Sequence, residues 1–167
     1  MSDTDGNVLF TSVGFKTEWL NEQADFFPLV VDFQEKFYAT GLIGGNRFQR
    51  REGRPGDNAT LTARLIDRPI RPMFPKWIIN DTQILLTVLS ATWEKDVGTW
   101  GVTSASLGLM MTWAPFEGPV AWVKIITTQD GKFIYDPTTK EEETARLNLV
   151  VAGTLDAITM VETGGQE

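Results

Sequence analysis

Residues 44–75 read GGNRFQRREGRPGDNATLTARLIDRPIRPMFP and hold seven of the chain's eight arginines: Arg47, Arg50, Arg51, Arg54, Arg64, Arg68 and Arg71. Only Glu52, Asp57 and Asp67 oppose them, so seven minus three leaves the stretch near +4 in a chain of formal charge −7. Charge this concentrated calls for an anionic partner, and a phosphodiester backbone is one. Pairing with the acidic remainder of the chain would satisfy it equally well on charge alone. Within the stretch, Pro55-Gly56 marks a turn, and Asp57 or Asn58 can cap a helix over 59–68 that Pro69 ends. On a helical wheel Leu61 and Leu65 stand at about 0° and 40°, with Arg68 near −20° and Arg64 near −60°. That places Arg68 on the apolar stripe, where it needs a carboxylate or a phosphate unless its stem packs and its head stays in water.

Outward from that helix the pattern is mostly strand. Residues 8–13 are β-prone and 14–25 polar. In 26–38, Leu29, Val31, Phe33 and Phe37 alternate with polar or outward positions, the period of a half-buried strand. Residues 83–90 (QILLTVLS) read as a central strand. Asp96 can cap an uncharged helix over 97–113, whose small residues permit close packing. Asp130-Gly131 signals a hairpin between 120–127 and 132–135, and 148–152 with 157–161 form a second. Strands, helix, strand, helix and two hairpins together describe an α+β domain, a sheet with helices on it.

The 167 residues suit one domain, and 42% hydrophobic with 22% charged is an ordinary globular composition. The chain has no cysteine and no histidine. Disulfides, thiolate nucleophiles, histidine triads and histidine zinc sites are therefore closed to it. No signal-peptide pattern opens it, which fits a cytoplasmic location. The charge-free run 97–116 contains glycines, a proline and several hydroxyls, and reads as a buried helix, not a membrane span. The GXXG at 41–44 follows a strand, so a KH loop is rejected. The six tryptophans are scattered and read as packing groups, whereas Phe48 lies among arginines where a ring can stack on a base.

The runs FFPLVVDFQEK (26–36), RREGRP (50–55), LTARLIDRPIRP (61–72) and LVVAGT (149–154) resemble the polynucleotide phosphorylase family, in the first of its two RNase PH-like core domains. The resemblance covers residues 8–167. It implies an RNase PH-like fold of the ribosomal protein S5 domain 2-like type, a mixed sheet packed with helices and lacking the family's first strand pair. Residues 1–167 would then be a single, incomplete core domain. The implied activity is phosphorolysis, in which inorganic phosphate attacks the 3′-terminal phosphodiester of RNA and releases a nucleoside diphosphate with Mg²⁺ assisting. The family forms a homotrimeric ring, threads single-stranded RNA through it, and joins RNA-degradation machinery. Its arginine loop lines the channel, while the phosphorolytic site and the Mg²⁺ ligands belong chiefly to the second core domain.

On this resemblance Arg47, Phe48, Arg50, Arg51, Arg54, Arg68 and Arg71 are the expected RNA-binding residues, with no catalytic or metal-binding residue in the chain. The family's loop commonly reads PGGFFRR; here GGNRFQRR (44–51) is one residue longer and has Gln49 in place of the second ring. A non-catalytic RNA-binding ring subunit of an exosome-like complex, and an S5-like RNA-binding domain outside RNA decay, are the other readings.

Overall fold

The computed structural model describes residues 1–3, 5–17, 26–43, 53–92 and 94–165. Strands Val8–Phe15 (β1), Leu29–Gln34 (β2) and Thr82–Ser90 (β3) form a sheet in the order β1-β3-β2, with β1 antiparallel and β2 parallel to β3. Helix Asp57–Ile70 (α1) is the crossover between β2 and β3, as a parallel pair requires. Helix Gly101–Met110 (α2) packs beside α1 and on β1. The chain then builds a second, antiparallel sheet from Ala121–Thr127 (β4), Phe133–Tyr135 (β5), Leu147–Gly153 (β6) and Ile158–Gly165 (β7), in the order β5-β4-β6-β7, with the short helix Thr139–Glu143 (α3) between β5 and β6. The sheet expected from sequence is thus two sheets, one mixed and one antiparallel, with helices against them.

The alternation in β2 is obeyed: Leu29 and Phe33 are buried and Val30 is exposed. The strand stops at Gln34, however, and Phe37 lies in a 3-10 turn, Phe37–Thr40, closed by Gly41 at φ +75°. Both hairpins form as expected. Asp96 does cap the segment after it, its carboxylate accepting from the Gly98 N–H at 2.9 Å, though the first turn, Val97–Trp100, is 3-10. Among the described residues no helix is long and apolar enough to cross a membrane.

Three details of α1 differ from expectation. Its N-cap is Gly56, without a side-chain cap bond; Asp57 already lies inside the first turn, where its charge favours the helix dipole. Pro69 does not end the helix, which continues to Ile70. Proline forfeits one backbone bond in the last turn, and full burial of Ile70 together with the Arg71 N–H to Asp67 carbonyl bond compensates.

The third difference is the buried face. Ala59, Ala63, Ile66 and Ile70 point inward, while Leu61 is 56% exposed. The wheel centred on the two leucines was half a turn out. The alanines let the helix approach the sheet, and the isoleucines fill the space behind them.

Close approach also explains two glycines. A Cβ on Gly101 would collide with Ile66 Cδ1, so α1 and α2 meet closely only with glycine there. A Cβ on Gly153 would lie 3.0 Å from Ile158 Cα, at the bulge where β6 turns toward β7. In the antiparallel sheet the alternate positions Trp122, Lys124, Ile126, Ala152 and Met160 face the interior. The opposite face is uncharged: Val123, Phe133, Tyr135, Leu147 and Val161 are all exposed on it.

Of the tryptophans, Trp100 and Trp122 pack on the core as expected, but Trp77 and Trp113 are 61% and 93% exposed. Both follow the end of an element, where the chain turns outward.

Candidate nucleic-acid interface

Arg47, Phe48, Arg50 and Arg51 lie outside the described residues. The other four arginines of the stretch fall into two classes. Arg54 is exposed in the loop leading into α1, and Arg64 is exposed on the helix; among the described residues neither has an ion pair or hydrogen-bond partner. Arg68 and Arg71 are engaged. Arg68 reaches Glu162 on β7 at 3.6 Å, with both side chains largely in solvent.

Arg71 donates through Nε to Asp67 Oδ2 (3.1 Å) and through one terminal nitrogen to Asp67 Oδ1 (2.9 Å). It also donates to the carbonyls of Phe27 (3.1 Å) and Leu29 (3.0 Å). That geometry clamps the start of β2 to the end of α1, and it uses nearly all the donors of a guanidinium fork. The partner expected for Arg68 is therefore a carboxylate. Arg68 gained it by standing on the solvent face, because the buried face is the one opposite Leu61.

Arg64 is not in the set expected from sequence. The wheel places it beside the leucine stripe, and the inversion of that stripe puts it on the outward face of α1, without a partner among the described residues. The N-terminus of α1 adds to the field. With no side-chain cap, its first-turn N–H groups point toward the end of the arginine loop, next to Arg54. Behind this corner a cleft of about 310 Å³ runs between β2 and α1, with Arg64 on its wall.

A second polar cluster centres on Lys124. Lys124, with only 10% of its side chain exposed, is held by Glu142 at 2.7 Å and Asp96 at 3.6 Å. It joins the turn before α2, β4 and α3, with Lys124 itself nearly buried and Asp96 half exposed. Desolvation first, and the charge of Asp96 second, hold the Glu35 carboxyl above its ordinary value. In α3 a capping box ties Thr138 to Glu141. The backbone N–H of Thr138, then its hydroxyl, hold the Glu141 carboxyl below the usual range. These contacts tie elements together and present no nucleophile beside a base. Among the described residues no group of three or more His, Cys, Asp or Glu side chains is placed to hold a metal ion.

Comparison with known proteins gives the class to which this fold belongs. The description "3′ exoribonuclease family, domain 1" matches residues 4–115 and "3′ exoribonuclease family, domain 2" matches residues 118–167. The chain belongs to the 3′ exoribonuclease (RNase PH) family. Among curated relatives, the polyribonucleotide nucleotidyltransferase of Geotalea uraniireducens (strain Rf4) is 50% identical over all 167 residues. That of Staphylococcus aureus (strain JH9) is 52% identical over 143 residues, or 86% of this chain. The chain spans about a quarter or less of these relatives, 23% and 20% respectively.

Among solved structures, rice (Oryza sativa) Rrp46 superposes with a TM-score of 0.72 at 13% identity, covering 96% of this chain and 71% of that one. The exosome of Archaeoglobus fulgidus with RNA bound to the active site gives 0.70 at 15%, covering 96% and 69%. Those two likenesses concern the fold.

Proposed function

We propose that this chain is the RNA-gripping part of a polyribonucleotide nucleotidyltransferase, a 3′-to-5′ phosphorolytic exoribonuclease. The observation that carries it is the pair of arginines without a partner among the described residues, Arg54 and Arg64, at and beyond the start of α1 and close in sequence to Arg47, Phe48, Arg50 and Arg51. Sequence relatives near 50% identity that bear this enzyme name support it over an exosome-type scaffold subunit.

In the whole enzyme an oxygen of inorganic phosphate bonds to the terminal phosphorus, the bond to the 3′-oxygen of the next nucleotide breaks, and a nucleoside diphosphate leaves. This segment holds and guides the strand for that step. Mg²⁺, a homotrimeric ring, partners in RNA degradation and a cytoplasmic location belong to the same proposal. So does the reading of residues 1–167 as one incomplete core domain.

Phosphate contacts position a strand without reading its sequence, so binding should be sequence-tolerant. Each lost contact lowers the salt slope of single-strand binding by about 0.7. Binding of single-stranded RNA measured against salt should therefore show a clearly shallower slope for Arg54→Ala/Arg64→Ala, and likewise for Arg50→Ala/Arg51→Ala. Slopes identical to wild type in both pairs refute the grip.

A further inference from the structure

Among the described residues strand β2 is an edge strand, with β3 on one side only. On that side the Pro28 carbonyl accepts from the Thr82 N–H at 3.1 Å, whereas the Leu29 carbonyl accepts from Arg71 on the other at 3.0 Å. Backbone direction alternates along a strand, so the N–H and C=O of Val31 and Phe33 also turn away from β3. No hydrogen bond from a described residue meets them there. Both residues line the cleft of about 310 Å³, together with Pro55, Ala59, Ala63 and Arg64.

We propose that this cleft seats one unpaired nucleobase of single-stranded RNA, its edge hydrogen-bonded by the backbone of Val31 and Phe33 and its phosphate held by Arg64. The proposal rests on the RNA-gripping reading above and gives it a subsite. Its volume lies at the lower limit for small-molecule pockets, the size of one base with its sugar. The walls contributed by Pro55, Ala59 and Ala63 are apolar, as the face of a base prefers. A free amide N–H next to a free carbonyl matches the donor and acceptor pairs that bases present when unpaired. Arg64 supplies the one cation among the described residues lining the cleft; of the two carboxylates that also line it, Asp32 and Asp67, the latter is already chelated by Arg71. A peptide strand adding to the same edge is disfavoured, because Arg71 already occupies the carbonyls of Phe27 and Leu29 and leaves only a short open run.

The test follows the backbone amide signals of Val31 and Phe33 in the full chain while adenosine monophosphate or ribose 5-phosphate is added. Both amides should shift with the nucleotide and stay still with the sugar phosphate. In parallel, a short oligoadenylate should bind about tenfold more tightly than an abasic strand of equal length, the order of effect of one or two base hydrogen bonds. Thr60→Trp, which fills the cleft from an exposed helix position, should erase that difference.

Silent amides, equal binding of the two strands by wild type, or an unchanged preference in Thr60→Trp overturn the cleft while leaving the phosphate grip standing. Failure of both strands to bind wild type overturns the RNA-gripping reading as well. Shifts produced by a peptide of alternating valine and threonine, but not by the nucleotide, overturn it in favour of strand addition.

Discussion

The guanidinium of Arg71 lies 3.0 Å from the carbonyl oxygen of Leu29, 42 residues away in sequence, while the same terminal nitrogen, together with Nε, chelates Asp67 one helical turn back. One planar cation thus fixes where β2 starts relative to where α1 ends, and so sets the width of the cleft between them. Arg71→Lys keeps the charge but loses the fork, which should cost about 1–2 kcal/mol in urea unfolding. The salt slope of RNA binding should stay at the wild-type value, because a clamp with its donors engaged contributes no free cation.

Arg68 and Arg64 provide the complementary contrast. Arg68 and Glu162 form an exposed pair, so Arg68→Ala should change stability by no more than about 0.5–1 kcal/mol. Arg64→Ala should be equally mild in unfolding, yet lower the RNA salt slope by about 0.7. Titrations against salt on the two variants separate the roles.

The contact of Gly101 with Ile66 can be isolated by a double-mutant cycle. Gly101→Ala alone should destabilise by about 1–3 kcal/mol, since the new methyl meets a fully buried side chain. Ile66→Val removes the Cδ1 atom that it meets. The pair should therefore show coupling of about 1 kcal/mol, with the double variant more stable than the sum of the singles.

Lys124 should be sensitive to loss of its partner. Glu142→Ala leaves a nearly buried ammonium with only Asp96 at 3.6 Å, and should cost about 3 kcal/mol by denaturant unfolding. Lys124→Met in the same background removes the stranded charge and should recover much of that loss.

Glu35 sets a pH dependence. Its folded-state pKa lies above the ordinary value of 4.5, so the native state binds the extra proton. Stability from this group is then full at low pH and falls as pH rises from 4.5 through the raised value. Glu35→Gln should be more stable than wild type at neutral pH, with the gain vanishing below 4.5. Thermal midpoints measured across that range check the sign.

Much of this was readable in the residues. Strand alternation in 29–33, the glycine turns and the family-like runs describe local chemistry, and local chemistry is written at fixed spacings. The arginine density marked the basic corner for the same reason. The inward face of α1 was not readable. Leucines outrank alanines on any hydrophobicity scale, yet the sheet lies too near to admit them, and small residues won the interior. A wheel knows the angle between side chains but not how far away the neighbouring layer stands.

By itself, then, the sequence determined the order and type of most elements, the family, and the segment that carries the positive charge, because periodicity, turn chemistry and composition are properties of neighbours along the chain. Only the tertiary structure decided which arginines are free. Arg71 finds the carbonyls of Phe27 and Leu29, and Arg68 finds Glu162, through contacts that span from 42 to more than 90 residues. No spacing rule encodes such distances. Arg54 and Arg64 are the two in that segment that no carboxylate or carbonyl among the described residues reaches.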